Sequence, residues 1–439
     1  MSKRKITVLL LIITLAASIF VIAGCGQVKS KDSAKHETVT VTFSYPPYGY
    51  DSKLEDTFWK KYIAEFEKMN PDIKIDMTVE SYDNVYTKWE SYFASGDQPD
   101  IGYADGVRAV AYGLQGKAMP VNDVIEALGG RDVFTKTADT FLINGNWYAV
   151  PNCEATTVLA YRKDLLKAAG YTEPPKTWDE LVSMSKALTK NGVYGLGMFH
   201  GENLWTQHIL CGFMEAAGGK FLDEKGNVVI NSPENLQALT FMTDLVKVYK
   251  VVPSSACDWN YGDDVNALGA GKIAMDIMWG GYGTLIENMF PKDYQQIGFA
   301  ILPFGPSGHS GSISGAGGFF IFSKAKHPAE AKKFIEFMSR EEISKEWCKI
   351  SGNVSPFKTV AKDPELMKME WYKAISDQAD TSKFIGFDSP STPGIDGLKV
   401  NCRYSRAVVD VLVNGMTPAQ SLKKLHDDNV SALEKAKTH

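Results

Sequence analysis

An α/β fold is predicted for most of this chain by three observations. Short β-branched runs recur along it, stretches with apolar residues at helical spacing lie between them, and prolines and capping residues punctuate the change from one to the other. At 439 residues the chain is long enough for about two or three domains with sizeable cores. The first strand is read at Thr38-Val39-Thr40-Val41-Thr42-Phe43, which alternates. Leu54, Phe58, Tyr62, Phe66 and Met69 follow at helical spacing, and Pro71 stops that helix. Ile73 to Val79 alternates again, so the chain opens β-α-β, and this predicts a parallel sheet covered by helices. Trp147 to Val150 reads as a short strand ending at Pro151, and Thr156 to Tyr161 as another. Thr177-Trp178-Asp179-Glu180 is a capping box that opens a helix to about Lys190. Ser232-Pro233 starts a further helix, with proline where its missing N–H does no harm. Ile273 to Met278, Ile297 to Leu302 (ended by Pro303) and Phe319 to Phe322 read as strands. Pro328 opens a helix through Phe334, Ile335 and Met338, and Thr417-Pro418-Ala419-Gln420 caps the last one. No internal repeat is present.

The N-terminal segment carries an address. Lys3, Arg4 and Lys5 precede an apolar run from Ile6 to Ala23, which closes on Ile22-Ala23-Gly24-Cys25. Small residues directly before a cysteine resemble the lipobox of bacterial lipoproteins. On that reading residues 1–24 are a signal peptide, Cys25 is the lipidated residue carrying diacylglyceryl and palmitate-type chains, and residues 25–37 are a polar tether. Each buried methylene contributes about 0.8 kcal/mol, and stable anchoring takes more than one chain. An ordinary cleavage site beside a chance cysteine, or a retained apolar anchor of spanning length, are the competing readings.

The formal charge is −5, and loss of the three basic residues of the signal leaves 44 basic against 52 acidic side chains, or −8. An acidic surface argues against nucleic acid as partner. Beyond Cys25 the cysteines are Cys153, Cys211, Cys257, Cys348 and Cys402, an odd number at wide spacing, which disfavours a disulfide framework while leaving one bridge open. The histidines show no metal-ligand spacing, and the acidic run Asp258 to Asp264 lacks the glycine and distal glutamate of a calcium loop, so it reads as a solvated loop. No metal and no cofactor is expected.

Seven segments in order resemble the sugar-binding group of extracellular solute-binding proteins of ABC importers, the maltose-binding type. They are Gly96-Asp97-Gln98-Pro99-Asp100-Ile101, Gly145-Asn146-Trp147-Tyr148-Ala149-Val150-Pro151, Tyr161-Arg162-Lys163-Asp164-Leu165, Pro174 to Leu181, Gly271-Lys272-Ile273-Ala274-Met275, Gly315-Ala316-Gly317-Gly318, and His327-Pro328-Ala329-Glu330-Ala331 leading to Asn353-Val354-Ser355-Pro356. The resemblance implies a two-lobe periplasmic-binding-protein-like fold of type II, with a ligand cleft between lobes joined by a multi-strand hinge. It implies lobes of residues 38–150 with 297–352 and of 151–296 with 353–439.

A sugar presents hydroxyls and flat C–H faces, so its site needs aromatic platforms and fixed polar partners. The candidates are Trp279, Asp105, Glu154, Tyr45, Tyr48, Tyr103, Trp205, Trp259, Tyr282, Arg108, Arg403 and Tyr404. Tyr45 and Tyr48 flank two prolines after the first strand; Tyr103, Asp105 and Arg108 follow the strand at Ile101. Asp105 and Glu154 match positions where the family has ligand carboxylates, and Trp279, flanked by Gly280 and Gly281, matches an aromatic one. Trp205 and Trp259 are read in loops. Core packing or helix capping is the bland alternative for each. Cys153, with no histidine nearby in sequence, reads as a packed residue. Ser314 to Gly318 precedes a strand and not a helix, which disfavours a phosphate loop.

The resemblance therefore implies a lipid-anchored, monomeric, non-enzymatic component that takes a carbohydrate, an oligosaccharide above all, to an ABC permease on the outer side of the cell membrane. A binding protein for a polyamine or phosphorylated polyol is the alternative. A secreted glycosidase using Asp105 and Glu154 is a third reading, which needs a carboxylate separation that sequence does not give.

Overall fold

The structure, a computed structural model, describes residues 38–48, 52–260, 262–383 and 404–437. The expected signal, Cys25 and tether, together with Arg403 and Cys402, lie outside the described residues. Strand β1 (Val39–Tyr45) pairs in parallel with β2 (Ile73–Val79) along its whole length, Val39 opposite Ile73 and Tyr45 opposite Val79. The helix Ser52–Met69 between them buries Phe58, Trp59, Tyr62 and Phe66, one stripe of an amphipathic surface. Strand β3 (Ile101–Asp105) joins the other side of β1, also in parallel. The short β4 (Ala118–Met119) follows, and β5 (Leu142–Ile143) with β6 (Asn146–Trp147) forms a separate two-stranded sheet. Strands β7 (Val150–Arg162), β8 (Met275–Trp279), β9 (Ile297–Ala300) and β10 (Ser314–Phe322) complete the main sheet, in the order β2-β1-β3-β10-β7-β8.

Two expectations are corrected here. The sheet is parallel only across β2-β1-β3; β10 runs antiparallel to both β3 and β7, and β7 antiparallel to β8 and β9. The short strands expected at 147–150 and 156–161 give way to one 13-residue strand that runs through Pro151. Opposite it the register shifts between Gly317 and Gly318, so that Gly317 faces Cys153 and Gly318 faces Pro151, with Asn152 left over. A bulge is one of the few places in an internal ladder where a residue without an N–H is tolerated. The glycine-rich Ser314 to Gly318 is itself the first half of β10.

Two hydrophobic clusters fill the interior. One gathers Phe43, Trp59, Tyr103, Phe319, Phe334 and Trp347. The other gathers Leu159, Trp178, Phe213, Met242, Val408 and Leu425. Caps fix the helices that enclose them. Thr177 Oγ1 accepts the Glu180 N–H at 3.2 Å, while the Glu180 carboxylate accepts the Lys176 N–H at 2.6 Å, one residue before the usual capping-box partner. Ser232 Oγ accepts the Asn235 N–H at 3.2 Å above Pro233. Gly352 ends the helix Glu341–Ser351 at φ 68°, and a Cβ there would lie 2.3 Å from the Gly281 carbonyl oxygen. Only glycine lets that helix end rest on the turn after β8. Among the described residues no helix is long and apolar enough to cross a membrane.

The acidic run Asp258 to Asp264 is only partly the solvated loop expected. Asp258 and Asp263 are exposed, but Asp264 turns inward from the helix Asp263–Gly269 and is fully buried, as is Asp276 on β8. Asp264 Oδ1 accepts the Val265 N–H at 2.9 Å. Neither oxygen of Asp276, nor Asp264 Oδ2, has a hydrogen-bond partner among the described residues. Burial raises both carboxyls above the ordinary range, and the charge of Asp264 raises Asp276 further. A carboxyl raised on folding favours the folded state at low pH and loses that contribution as pH rises through its folded pKa. Asp276→Asn is therefore expected to stabilise the protein by roughly 1–3 kcal/mol near pH 8 and by less near pH 5, read as melting temperature. Equal shifts at both pH values would show that ionisation of the pair does not limit stability.

Candidate ligand site

The aromatic side of the site is built on two elements. Strand β8 ends at Trp279, which pairs across the ladder with Thr157. The helix Leu204–Ala216 starts where the Asn203 side chain accepts the Thr206 N–H at 2.9 Å, and it carries Trp205 and His208 one turn apart. The Trp205 and Trp279 ring centroids are 5.6 Å apart. The His208 imidazole lies almost flat against Trp279, at 5.4 Å and 24°. Tyr282 packs on Trp205 from below at 6.1 Å, and Phe199 links Trp205 to Trp259. Gly315 makes room for the indole, since a Cβ there would be 3.1 Å from Trp279 Cη2. Trp205 and Trp259 are half-buried, whereas Trp279 and Tyr282 are buried.

The polar side comes from the end of β3. Asp105 caps the helix Gly106–Leu114, its Oδ1 accepting the Arg108 N–H at 2.9 Å. Among the described residues its Oδ2 has only long contacts, 3.4 Å from Arg108 Nε and 3.4 Å from the Tyr86 hydroxyl. The Arg108 guanidinium lies 3.5 Å above the Tyr86 ring, a cation–π contact that holds it in place. The two sides meet along β10, where Gly315 lies against Trp279 and Gly317, two residues on, pairs with Asp105. Burial holds the His208 imidazole down to about 4, and the Asp105 charge opposes that shift. His208 is therefore neutral near pH 7.

The remaining candidates sit elsewhere. Tyr45 continues the inward face of β1 and donates its hydroxyl to Glu55 inside the core. Tyr103 is buried too, donating to Asn152 Oδ1 at 2.8 Å, and Tyr48 packs half-buried on its ring at 4.7 Å. Tyr404 lies in the second cluster against Phe221, at 4.6 Å. Glu154 on β7 is buried in a cage of hydroxyls: Thr137 donates to it closely, Ser314 at 3.1 Å and Thr135 at 3.5 Å. Cys153, beside it, lies 3.2 Å from the Tyr103 hydroxyl, and burial pushes its thiol up to about 11, the state of a packed residue and not a nucleophile.

Two site residues escaped the sequence reading. Tyr86 belongs to the helix Tyr82–Ser95, which its spacing with Trp89 and Phe93 could have revealed. His208 was hidden because Trp205 was expected in a loop. The helix that carries both is buried from Thr206 to Ala216, so it shows no amphipathic alternation to read.

Residues 50–345 match the bacterial extracellular solute-binding protein family. The chain belongs to that family. It is similar to the arabinooligosaccharide-binding protein of Bacillus subtilis (strain 168), with 27% identity over 349 residues that cover 77% of each chain. Among solved structures, the maltose-bound MalE3 protein of T. maritima shares the fold at a TM-score of 0.78, with 24% identity over 89% of this chain and 99% of that one. The ABC transporter solute-binding protein of Thermotoga lettingae TMO, bound with α-D-tagatose, gives a TM-score of 0.78 and 25% identity over 90% and 100%. The fold is thus the two-lobe α/β architecture of the maltose-type binding proteins, and by family the chain is an extracellular solute-binding protein.

In this solute-binding protein strand β7 carries a titratable group. Burial raises Glu154 to about 7, against the lowering effect of its three hydroxyl donors. The raised value means that the contribution of Glu154 to stability is fully present at low pH and is lost as pH climbs from about 4.5 through about 7, on the order of 3 kcal/mol in all. Glu154→Gln is expected to flatten the dependence of melting temperature on pH between about pH 5 and about pH 8. A variant with the wild-type slope would place that dependence on other groups.

Proposed function

We propose that this protein captures a neutral carbohydrate, an oligosaccharide above all, between its two lobes and delivers it to the permease of an ABC importer. The observation that carries this reading is the pairing of an aromatic wall, Trp205 and Trp279, with a carboxylate–guanidinium arm, Asp105 and Arg108. Aromatic faces suit the C–H faces of a sugar, and Asp105 Oδ2, held only by long contacts, suits a hydroxyl donor. The Bacillus relative is named for arabino-oligosaccharides, and the Thermotoga protein holds α-D-tagatose, which supports the same class. Arg108 fixed above Tyr86 works against a polyamine, and Asp105 against a phosphorylated polyol.

The lobes are taken as residues 38–150 with 297–352 and 151–296 with 353–439. The division is supported by the way β7 changes partner, from β10 before Thr157 to β8 from Thr157 onward. Cys25, behind its apolar run, is taken as the lipid anchor that keeps the monomer at the outer face of the membrane beside its permease. Glu154, with its oxygens already satisfied, is given a structural role in place of a ligand contact.

Calorimetry with maltose, arabinotriose, D-tagatose, spermidine and glycerol 3-phosphate tests the reading. Heat from a sugar, with no product released, is the expected result. Sugar hydrolysis would replace it with the glycosidase, and binding of spermidine or glycerol 3-phosphate alone with a non-sugar importer. Trp205→Ala and Trp279→Ala are each expected to weaken sugar binding by about 1–3 kcal/mol, since each removes part of the wall. Unchanged affinity in both would move the site away from this wall.

A further inference from the structure

His208 is buried to nine-tenths, and its Nδ1 is wholly covered with no hydrogen-bond partner among the described residues. A core histidine normally has that nitrogen satisfied, so its position against Trp279 calls for another explanation. Leaving an N–H unpaired in the interior is costlier than leaving a lone pair, which places the imidazole proton on Nε2. The small exposure that the residue keeps lies away from Nδ1, and Trp279, on which the ring stacks, lies against Gly315, two residues along β10 from Gly317, which faces Asp105.

Resting on the carbohydrate reading above, we propose that His208 and Asp105 together read a ligand hydroxyl: His208 Nε2–H donates to the oxygen, and the hydroxyl hydrogen is donated to the Asp105 carboxylate. A hydroxyl satisfies both at once. An ammonium group has no lone pair to accept from Nε2–H, and a carboxylate or phosphate oxygen has no hydrogen for Asp105. His208 thereby becomes a specificity-determining residue, selecting neutral polyhydroxy ligands over cations and anions that the aromatic wall alone would admit.

The test measures maltose, arabinotriose, D-tagatose and spermidine by calorimetry on the wild type, His208→Phe and His208→Gln, with melting temperature recorded for each. Phenylalanine keeps the ring against Trp279 and removes both nitrogens; glutamine restores an N–H donor. The expected result is a loss of about tenfold or more in sugar affinity for His208→Phe, at an undiminished melting temperature, with part of it regained in His208→Gln. Wild-type sugar affinity in His208→Phe would overturn the role of His208 and leave the carbohydrate reading standing. A wild type that binds spermidine and none of the sugars would overturn both.

Discussion

Strand β7 is the member on which the geometry of the site depends, because it pairs with β10 along its first half and with β8 and β9 along its second. Asp105 at the end of β3 faces Gly317 on β10, Gly317 faces Cys153 on β7, and four residues further along β7 Thr157 faces Trp279 at the end of β8. Arm and wall are therefore registered to each other through three successive ladders. A slip of one residue in any of them would turn alternate side chains to the opposite face. The point where β7 changes partner is pinned by side chains as well. Thr156 and Thr157 each share a hydrogen bond with Ser312 Oγ, at 2.5 Å and 2.7 Å, and Thr156 shares another with Ser382 at 2.7 Å. Hydroxyls paired with one another on three segments hold the join without introducing a charge.

The two candidate carboxylates, Glu154 and Asp105, divide by what already satisfies them. Glu154 has hydrogen-bond donors on both oxygens, and recruiting it to a ligand would leave Thr137, Thr135 or Ser314 to find new partners in the interior. Asp105 commits one oxygen to its helix cap and holds the other at distances where a hydroxyl can compete. Two acids that sequence alone treats as equals are thus separated by their hydrogen-bond distances. The same comparison explains why a glycosidase reading, which needs both acids to act on one bond, gains nothing from this arrangement.

What the sequence made legible are the elements whose pattern is local. Ile73–Val79 and Pro328–Met338 coincide with their expected bounds because alternation marks the first and an opening proline with apolar residues at helical spacing marks the second. Tyr45 was legible in principle, since Val41, Phe43 and Tyr45 share the inward face of β1, but the flanking prolines suggested a surface platform. The unity of β7 was not legible, because Pro151 argues for a break and only the distant shift at Gly317 and Gly318 makes it harmless. The helix carrying Trp205 and His208 was illegible for a different reason. Burial on nearly every side erases the polar stripe that periodicity detects, and the contact between His208 and Trp279 joins segments far apart in the chain.

Charge gives the site its character. Asp105 contributes one negative charge, Arg108 one positive charge, and His208 none, since burial keeps its imidazole neutral near pH 7. A site balanced in this way has no uncompensated charge for a ligand to neutralise, so a charged solute would be stripped of water with nothing gained in return. On the proposed reading a neutral polyol loses far less on entry and recovers its hydrogen bonds from groups already fixed in direction, Arg108 by the Tyr86 ring and Asp105 by its cap. The aromatic wall then supplies the apolar contact that water cannot match. The proposed selection of neutral, hydroxylated solutes thus rests on how the polar groups are held as much as on which groups they are.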